Sequence, residues 1–334
     1  MRKSLVAAAV LILAGVACPR RPAHPIYTIG VLQLIESPTI HEVLSGFRKA
    51  LADRGVREGI DVRIDVRDGL GDLSEVQRIA QDFVADGVDM IVAVSTPCLQ
   101  AAIIATPKIP IIFTSVANPY LTRAGSSATG HLENVTGVAS TGPIRQTLAF
   151  VKEILPAAVR VGTLWTPSEL NSEYYVELAR DAAADLGLEI EAVPVANPNE
   201  VLLASQVLVN RSIDVIYQIS DNTVNASFEA LGKAAEENGI PLFGGFLSST
   251  RLGAWAAMGW DFVDMGYRTG EIAVRIRNGE SPARIPFQSM ANVKLWLNLR
   301  AAARQNVRFS PDVIKRASQI EGQEGEAKPA ASLR

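Results

Sequence analysis

The sequence predicts an α/β fold of two similar lobes, each built on a mainly parallel β-sheet. Short β-branched apolar segments alternate with helical segments along most of the chain, a pattern typical of βαβ units. The segment at 87–97, GVDMIVAVSTP, has a counterpart more than a hundred residues later at 212–223, SIDVIYQISDNT. Solenoid repeats have periods of only about 20 to 50 residues, so this longer period indicates two like domains. A chain of 334 residues, 48% of them hydrophobic, is large enough to bury both cores.

The first half of the chain alternates strands with helices. Strands are predicted at 26–34, 60–66, 88–94 and 109–113. The first helix has its apolar face within 40–51 and ends at Gly55, and the second covers 73–85. Thr96 and Pro97 begin a short third helix.

The second half repeats this order. Strands are predicted at 159–165, 188–195, 213–219 and 240–243. The helices between them are predicted at 173–186, 199–209 and 224–238. Right-handed crossovers would place these helices on both faces of each sheet.

A surplus of strands and helices, beyond those of the two repeated halves, follows the second half. The sequence predicts a strand with a turn at 253–262, a helix at 265–277, an extended segment at 287–297 and a helix at 299–305. This surplus indicates that the chain crosses back to the first lobe and then returns. The Ala-, Glu-, Gly- and Ser-rich tail at 319–334 is predicted to be disordered.

The N-terminus resembles an export signal at 1–18. Arg2 and Lys3 precede an apolar run that ends at Cys18 and is well short of the roughly 20 residues a spanning helix needs. The hexapeptide LAGVAC at 13–18 resembles a bacterial lipoprotein box, which implies lipidation of Cys18. Gly15 and Pro19 depart from that box, and the same residues suit ordinary signal-peptidase cleavage, which remains the alternative.

Charge and motifs argue against nucleic-acid binding and two kinds of enzyme. A net charge of -3 and a pI near 5.8 provide no overall attraction to nucleic acid or anionic lipid. After GLG at 69–71, Ser74 stands where a dinucleotide fingerprint has its third glycine. Val138 occupies the first glycine position of a nucleophile elbow around Ser140. We therefore predict no catalytic residue and no cofactor.

Cysteine and histidine usage gives no metal site. Cys98 is the one cysteine besides Cys18, so no disulfide is expected within a mature chain that has lost or lipidated Cys18. Cys98 itself is interpreted as a small buried apolar residue. The three histidines have no metal-ligand spacing, so no bound metal is predicted.

Small polar residues follow several predicted strands. Hydroxyl groups and backbone N–H groups at helix N-termini suit a carboxylate, and carboxylate side chains on a facing lobe suit an ammonium group. Because an α-amino acid carries both groups, such a cleft fits it better than it fits a neutral sugar or a phosphate. Each polar residue has an alternative role as a helix cap or loop residue. The polar segments are Ser95-Thr96, Thr114-Ser115, Asn171-Ser172 and Ser220 to Thr223.

Eight segments resemble, in order and spacing, the substrate-binding proteins of ABC transporters. They are IGVLQLIESP, DMIVAVSTP, TSVANP, NVTGVAS, TPSELNS, SDNTV, IPLFGG and GWDFVDMGYRTGEIA. The resemblance runs from about Tyr27 to Ala301 and is strongest to the family that includes tryptophan- and tyrosine-binding lipoproteins. It implies a type I periplasmic-binding-protein-like fold, in which two Rossmann-like lobes joined by a three-strand hinge close on a small ligand.

The resemblance also implies domain boundaries. The N-terminal lobe would comprise 26–139 and 262–285, and the C-terminal lobe 140–261 and 286–315. The crossings between the lobes would then lie near Ser140, near Trp260 and Asp261, and near Pro286.

Candidate ligand-binding residues come from the strand ends and from matches to the family's motifs. The SDNTV match implies contacts from Asp221 and Asn222, and the G-x-D match implies that Asp261 pairs with a ligand ammonium. Trp165, Tyr217 and Trp260 could stack on an aromatic ligand, with plain core packing as the alternative. The full predicted ligand set is Glu36, Thr96, Ser115, Asn171, Ser172, Asp221, Asn222 and Asp261.

The predicted function is that of an extracytoplasmic solute-binding protein of an ABC importer, not an enzyme. The ligand would be a small zwitterion and is expected to be an amino acid; the resemblance implies an aromatic one. Its partners would be an ABC permease with its ATPase, but no nucleic acid, and the protein would be a monomer in the periplasm or on the outer face of the cell membrane. A ligand-sensing component of a signalling receptor and a periplasmic enzyme on the same fold are the alternatives.

Overall fold

The computed structural model describes residues 26–322 and contains two β-sheets. The predicted export signal at 1–18, including Cys18, lies outside these residues, as does the tail from 323 onward. Within residues 26–322, no helix is both long and apolar enough to cross a membrane. The predicted α/β class with two mainly parallel sheets is confirmed.

The first sheet is parallel throughout. Its strands are β1 (Tyr27–Gln33), β2 (Val62–Asp68), β3 (Met90–Val94), β4 (Ile111–Val116), β5 (Val135–Ala139) and β11 (Gln288–Ser289). Their order across the sheet is β2-β1-β3-β4-β5-β11. The central strands are buried on both faces, which explains their nearly continuous apolar sequences.

The second sheet repeats this arrangement. Its strands are β6 (Arg160–Trp165), β7 (Glu189–Pro194), β8 (Val215–Gln218), β9 (Leu242–Gly244), β10 (Ala256–Gly259), β12 (Lys294–Asn298) and β13 (Gln319–Glu321). Their order is β7-β6-β8-β9-β10-β12-β13, and β10 and β12 are antiparallel. The first five strands of each sheet therefore have the same order, which confirms the predicted internal repeat.

Helices connect the strands on both faces of the sheets. They are α1 (Pro38–Asp53), α2 (Leu73–Ala85), α3 (Thr96–Ala105), α4 (Ile144–Ile154), α5 (Leu170–Asp185), α6 (Val201–Val209), α7 (Asn222–Ala226), α8 (Phe228–Glu237), α9 (Phe262–Arg277), α10 (Leu299–Arg304) and α11 (Pro311–Arg316). Short 3₁₀ turns occur at Pro198–Glu200, Leu247–Leu252 and Pro282–Arg284.

The single helix predicted at 224–238 is wrong, because this segment contains two helices. The first, α7, begins at Asn222 because the Asp221 side chain accepts a hydrogen bond from the backbone N–H of Val224. Ser227 has a non-helical backbone (φ -121°, ψ 25°) and separates α7 from α8.

Helix α9 returns the chain to the first lobe, as the surplus of elements predicted. It packs directly on α1 through glycines on both helices. A Cβ atom at Gly46 would overlap the carbonyl oxygen of Val263, and one at Gly266 would overlap that of Val43. The two backbones are therefore in direct contact, which only glycine allows at these positions.

The chain passes between the two sheets three times. It leaves β5 for α4 after Ala139, leaves β10 for α9 after Gly259, and leaves β11 for β12 after Ser289. The prediction that the second lobe resumes at 286 is wrong, because Gln288 and Ser289 still pair with β5 of the first sheet. Hinge movement about these three segments stays a prediction.

The tail predicted to be disordered from 319 begins with an ordered strand. Residues Gln319–Glu321 form β13 beside β12, with Trp296 opposite Gln319. The Glu321 carboxylate also accepts hydrogen bonds from Thr250 and Arg251. Hydrogen bonds of this kind hold β13 in place, because its polar sequence offers few apolar contacts.

Candidate ligand-binding cleft

The carboxyl ends of both sheets face one shared cavity. In open parallel sheets this edge is where ligands bind, beside the strands at which the connection direction reverses. The residues lining the cavity are Thr39, Ile40, Val94, Ser95, Ser115, Ala117, Ser140, Gly142, Asn171, Tyr175, Ser220, Asn222, Asn225, Gly245, Gly259, Trp260 and Phe262. They come from both lobes and from two of the three connecting segments. The structure thus brings together the polar strand ends that the sequence pointed to.

The first-lobe wall is formed by serine hydroxyls in unusual backbone conformations. Ser95 and Ser115 have φ values of +101° and +55°, which non-glycine residues rarely adopt and which often occur at ligand sites. Their hydroxyls donate to the weak acceptors Cys98 Sγ, at 3.4 Å, and Met265 Sδ, at 3.5 Å. A ligand carboxylate would be a stronger acceptor for both hydroxyls. Within residues 26–322, no side chain caps the first turn of α3, so its N–H groups can also point at an anion.

The second-lobe wall is formed by three asparagine amides. Asn171 lies in the first turn of α5, Asn222 begins α7, and Asn225 follows in the same helix. The Oδ1 atoms of Asn171 and Asn225 are buried and have no hydrogen-bond partner among the described residues. Because buried acceptors nearly always have a partner, these two oxygens mark where a ligand donor is expected.

Glu169 organises this wall, although the sequence analysis did not single it out. Its side chain is buried, with 1% of the residue exposed. Oε2 accepts from Asn171 Nδ2 at 3.1 Å and from the side chain and backbone N–H of Asn222. Oε1 accepts from the hydroxyl of Thr223 at 2.8 Å and from its backbone N–H. Burial first, and then the charge of Asp221, raise the pKa of Glu169, and these hydrogen bonds partly offset that rise.

Asp221 and Ser172 lie behind the cavity rather than in its lining. The Asp221 carboxylate is fully buried and accepts from Ser172 Oγ at 2.6 Å and from the backbone N–H and hydroxyl of Thr166. It also caps α7 through the N–H of Val224. Both of its oxygens are therefore used within the protein. Burial raises the pKa of Asp221 above its usual range.

Asp261 has an ammonium partner, but that partner belongs to the protein. Its carboxylate lies 2.7 Å from the Lys294 Nζ atom and caps α9 through the backbone N–H groups of Val263 and Asp264. Partial burial alone would raise the pKa of Asp261, but the Lys294 ammonium and the two N–H groups together lower it. The carboxylate is not among the cavity-lining groups, and Trp260 and Phe262 flank it there instead.

Some of the remaining predicted residues line the cavity, and others lie outside its lining. Ser115, Asn171 and Asn222 line the cavity as expected, whereas Glu36 is exposed outside it. Thr96 is buried one residue beyond Ser95, which takes the lining position instead. Ligand contact by any of these residues stays a prediction.

Aromatic side chains also line the cavity. Trp260 and Phe262 come from the second connecting segment and the start of α9, and Tyr175 comes from α5. Trp260 was a predicted stacking candidate, but Tyr217 is buried in the second core and Trp165 packs against that core. Trp260 Nε1 donates to the Thr141 carbonyl at 3.1 Å, which fixes the indole ring beside the cavity.

The sequence analysis did not single out Glu169, Tyr175, Asn225 or Phe262 as residues of the site. Glu169 stands within the segment TPSELNS, four residues beyond the predicted strand at 159–165, where a carboxylate is also typical of a helix cap. Tyr175 and Asn225 lie inside helices, one turn beyond the polar strand ends. A helical residue one turn in projects back toward the N-terminus, so the cavity-facing positions extend past the strand ends themselves.

Comparison with known proteins places the chain among transport proteins. A model of the ABC transporter substrate binding protein family matches residues 28–321. A tyrosine-binding protein of Clostridioides difficile is 35% identical over 290 residues, which cover 86% of this chain and 83% of that protein.

Solved structures of relatives differ in how well their lobes superpose on this chain. A Streptococcus pneumonia protein in complex with L-Trp is 28% identical, with a TM-score of 0.83 over 88% of this chain and 99% of its own. The ligand-free, open structure of the Clostridium difficile protein CD0873 is 31% identical but has a TM-score of 0.64 over 89% of this chain and 99% of its own. At similar sequence identity, the present structure therefore superposes better on the L-Trp complex than on the ligand-free, open structure.

Proposed function

Because this chain belongs to the ABC transporter substrate-binding protein family, we propose that it binds an L-aromatic amino acid in the cleft between its two sheets. Members of this family bind small-molecule ligands for a transporter and are solute-binding proteins, not enzymes. The observation that carries the proposal is the chemical asymmetry of the cavity. Amide oxygens that have no hydrogen-bond partner in the described part of the chain line one wall, and hydroxyl and N–H donors line the other.

This asymmetry suits a zwitterion. Asn171 Oδ1 and Asn225 Oδ1 can accept from an ammonium group, and the hydroxyls of Ser95 and Ser115 can donate to a carboxylate. The positive end of the α3 dipole lies on the carboxylate side. Binding both charged groups across the cleft would hold the two lobes together around the ligand.

The aromatic lining supports an aromatic side chain on that zwitterion. Tyr175, Trp260 and Phe262 offer ring surfaces for edge-to-face or offset-stacked contact. The curated relative is named for tyrosine and the solved complex holds L-Trp, so both amino acids are suitable probes. Solved sugar complexes of the same fold are at most 15% identical and support the fold alone.

The proposed transport role also involves a location and partner proteins. Substrate-binding proteins of ABC transporters work outside the cytoplasm. We propose that this chain is a monomer that delivers its ligand to an ABC permease with its ATPase. Export through the signal at 1–18, with lipidation of Cys18 as the anchor, completes the proposal.

A thermal-shift screen tests the ligand class. The mature chain would be mixed with each of the twenty L-amino acids and with D-glucose and myo-inositol at millimolar concentration. A ligand that binds only the folded state raises the melting temperature by mass action. We expect the largest increases with L-tryptophan, L-tyrosine and L-phenylalanine.

Two outcomes would contradict this assignment. An increase with a sugar alone would show that the cavity recognises hydroxyl groups rather than a zwitterion. An absence of any increase with the twenty amino acids would rule out amino-acid binding at useful affinity.

A further inference from the structure

The orientation of the Asn171 amide is fixed from behind the cavity. Its Nδ2 atom donates to Glu169 Oε2 at 3.1 Å, and its Oδ1 atom is buried at the cavity wall. The Asn222 amide is held in the same way, with Nδ2 on the same carboxylate oxygen. A carboxylate only accepts hydrogen bonds, so it selects the amide orientation in which the NH₂ group faces it. The carbonyl oxygen of Asn171 must then face the ligand.

We propose that Glu169 is a positioning residue that selects ligands carrying an ammonium group, by holding the Asn171 carbonyl oxygen toward the cleft. This inference rests on the proposed function, because it assigns a partner to the ammonium group of the amino acid. Glu169 itself does not line the cavity and acts through the amides in front of it.

The accounting of donors around Glu169 supports this role. Three N–H donors from Asn171 and Asn222 converge on Oε2, and the hydroxyl and N–H of Thr223 converge on Oε1. If the Asn171 amide turned over, its oxygen would face a carboxylate oxygen and a hydrogen bond would be lost. The Glu169 carboxylate, which the ligand does not contact, therefore determines that the Asn171 carbonyl oxygen faces the ligand.

The electrostatics of this wall also favour a cation. Glu169 and Asp221 are both almost fully buried at neighbouring strand ends, and the charge of Asp221 raises the pKa of Glu169. Among the described residues, no lysine or arginine forms an ion pair with either carboxylate. At a pH where Glu169 is ionised, its negative charge has no lysine or arginine counter-ion among the described residues and attracts a positive group on the ligand.

The test compares two ligands that differ only in the ammonium group. L-tryptophan and 3-(indol-3-yl)propionate share the ring and the carboxylate, as do L-tyrosine and 3-(4-hydroxyphenyl)propionate. Dissociation constants would be measured by calorimetry for wild-type protein and for Glu169→Gln, using the pair whose amino acid binds wild-type protein more tightly. The glutamine side chain keeps the shape of Glu169 but presents an NH₂ group, which favours the opposite orientation of Asn171.

We expect Glu169→Gln to weaken binding of the amino acid by about 10- to 100-fold, the loss typical of a hydrogen bond to a charged group. Binding of the desamino acid should change by less than about threefold. Glu173→Gln is the matched control, because Glu173 lies in the first turn of α5, the helix that Glu169 immediately precedes, but is exposed. It should leave both dissociation constants unchanged.

A second variant keeps the test decisive if Glu169→Gln does not fold. Asn171→Ala removes the proposed acceptor and leaves the carboxylate in place, so it should cause the same selective loss of amino-acid binding. Equal weakening of both ligands in either variant, or no weakening, would overturn the role of Glu169 while leaving the proposed function standing. Failure of wild-type protein to bind any aromatic amino acid would instead overturn the proposed function and this inference with it.

Discussion

At the scale of single residues, side chains behind the cavity matter as much as those that line it, because they hold the lining residues in place. Asp221 and Asp261 are the two carboxylates that the matches to the family's motifs implied as ligand contacts. In the structure Asp221 holds Thr166, Ser172 and the start of α7, and Asp261 caps α9 and pairs with Lys294. Both carboxylates therefore arrange the elements that carry the lining residues.

Replacement of Asp261 by Ala should destabilise the protein without abolishing ligand binding. Loss of the α9 cap costs about 1 kcal/mol, and the half-exposed ion pair with Lys294 adds less than about 1 kcal/mol. We expect the free energy of unfolding in urea to fall by about 1 to 2 kcal/mol, while the dissociation constant changes by less than about threefold.

Asp261→Ser is the control for this prediction, because a serine hydroxyl retains the cap and loses only the ion pair. It should recover most of the lost stability. A loss of affinity of a hundredfold or more in a folded Asp261→Ala protein would show that this carboxylate binds the ligand after all.

The free energy of unfolding should depend on pH in a way that reflects the raised pKa of Glu169. Burial and the charge of Asp221 raise its pKa from 4.5 to about 7 in the folded chain. Between these values the folded protein holds a proton that the unfolded chain has released, so the free energy of unfolding falls as the pH rises through this window. Without ligand, raising the pH from about 4.5 to about 7 should destabilise wild-type protein relative to Glu169→Gln by roughly 1–3 kcal/mol. Parallel unfolding free energies for the two proteins across this range would contradict the raised pKa.

The sequence predicted the polar strand ends but not which neighbour faces the ligand. Ser95 lines the cavity and Thr96 does not, because the positive φ of Ser95 turns the chain abruptly into α3. Glu169 could not be distinguished from a helix cap, since its role depends on contacts with Asn222 and Thr223, more than fifty residues away in the chain. Such contacts appear only once the second sheet is assembled.

At the scale of elements, the contact between α1 and α9 ties the returning chain to the first lobe. Gly46 and Gly266 allow backbone contact between these helices, and Phe262 at the start of α9 reaches the cavity. The position of α9 therefore sets the position of an aromatic wall of the site.

Gly266→Ala should disrupt this contact. The new methyl group would overlap the carbonyl oxygen of Val43, which is backbone and cannot rotate away. We expect the free energy of unfolding to fall by about 3 kcal/mol or more, at the upper end of overpacking effects. Gly142→Ala is the control for stability, because the nearest atom to its new methyl group would lie 3.6 Å away. Equal stability of Gly266→Ala and wild-type protein would contradict the direct backbone contact.

The regular elements were predictable because each has a strong local pattern. Helix α2 coincides with its predicted range of 73–85, and the βα order of both halves follows from alternating apolar segments. The break between α7 and α8 at Ser227 was not predictable, and neither were the pairings of β11 with β5 and of β13 with β12. The break follows from the non-helical backbone of Ser227, and the edge pairings join short segments to distant strands, so both leave little trace in local periodicity.

At the scale of the whole molecule, the two sheets are held close together around the cavity. One buried apolar cluster contains residues of both sheets, including Val31 and Val92 from the first and Ile216 and Leu242 from the second. The greater similarity to the L-Trp complex than to the open relative agrees with this arrangement.

Ligand should shift the molecule toward this compact arrangement. A zwitterion that contacts both walls, as proposed, would bind the closed form more tightly than the open form and increase its population. Small-angle X-ray scattering should show a smaller radius of gyration with saturating L-tryptophan or L-tyrosine than without ligand. A radius that does not change would indicate that the lobes stay closed without ligand, and would remove hinge closure from the mechanism.

The most direct test of the account is a crystal structure of the mature chain grown with L-tryptophan or L-tyrosine. We predict one amino acid between the sheets, with its ammonium group within hydrogen-bond distance of Asn171 Oδ1 and its carboxylate at Ser95 and Ser115. Its ring should lie against Tyr175 or Trp260. An amino acid bound outside this cavity, or bound with its carboxylate against the asparagine wall, would contradict the central claim.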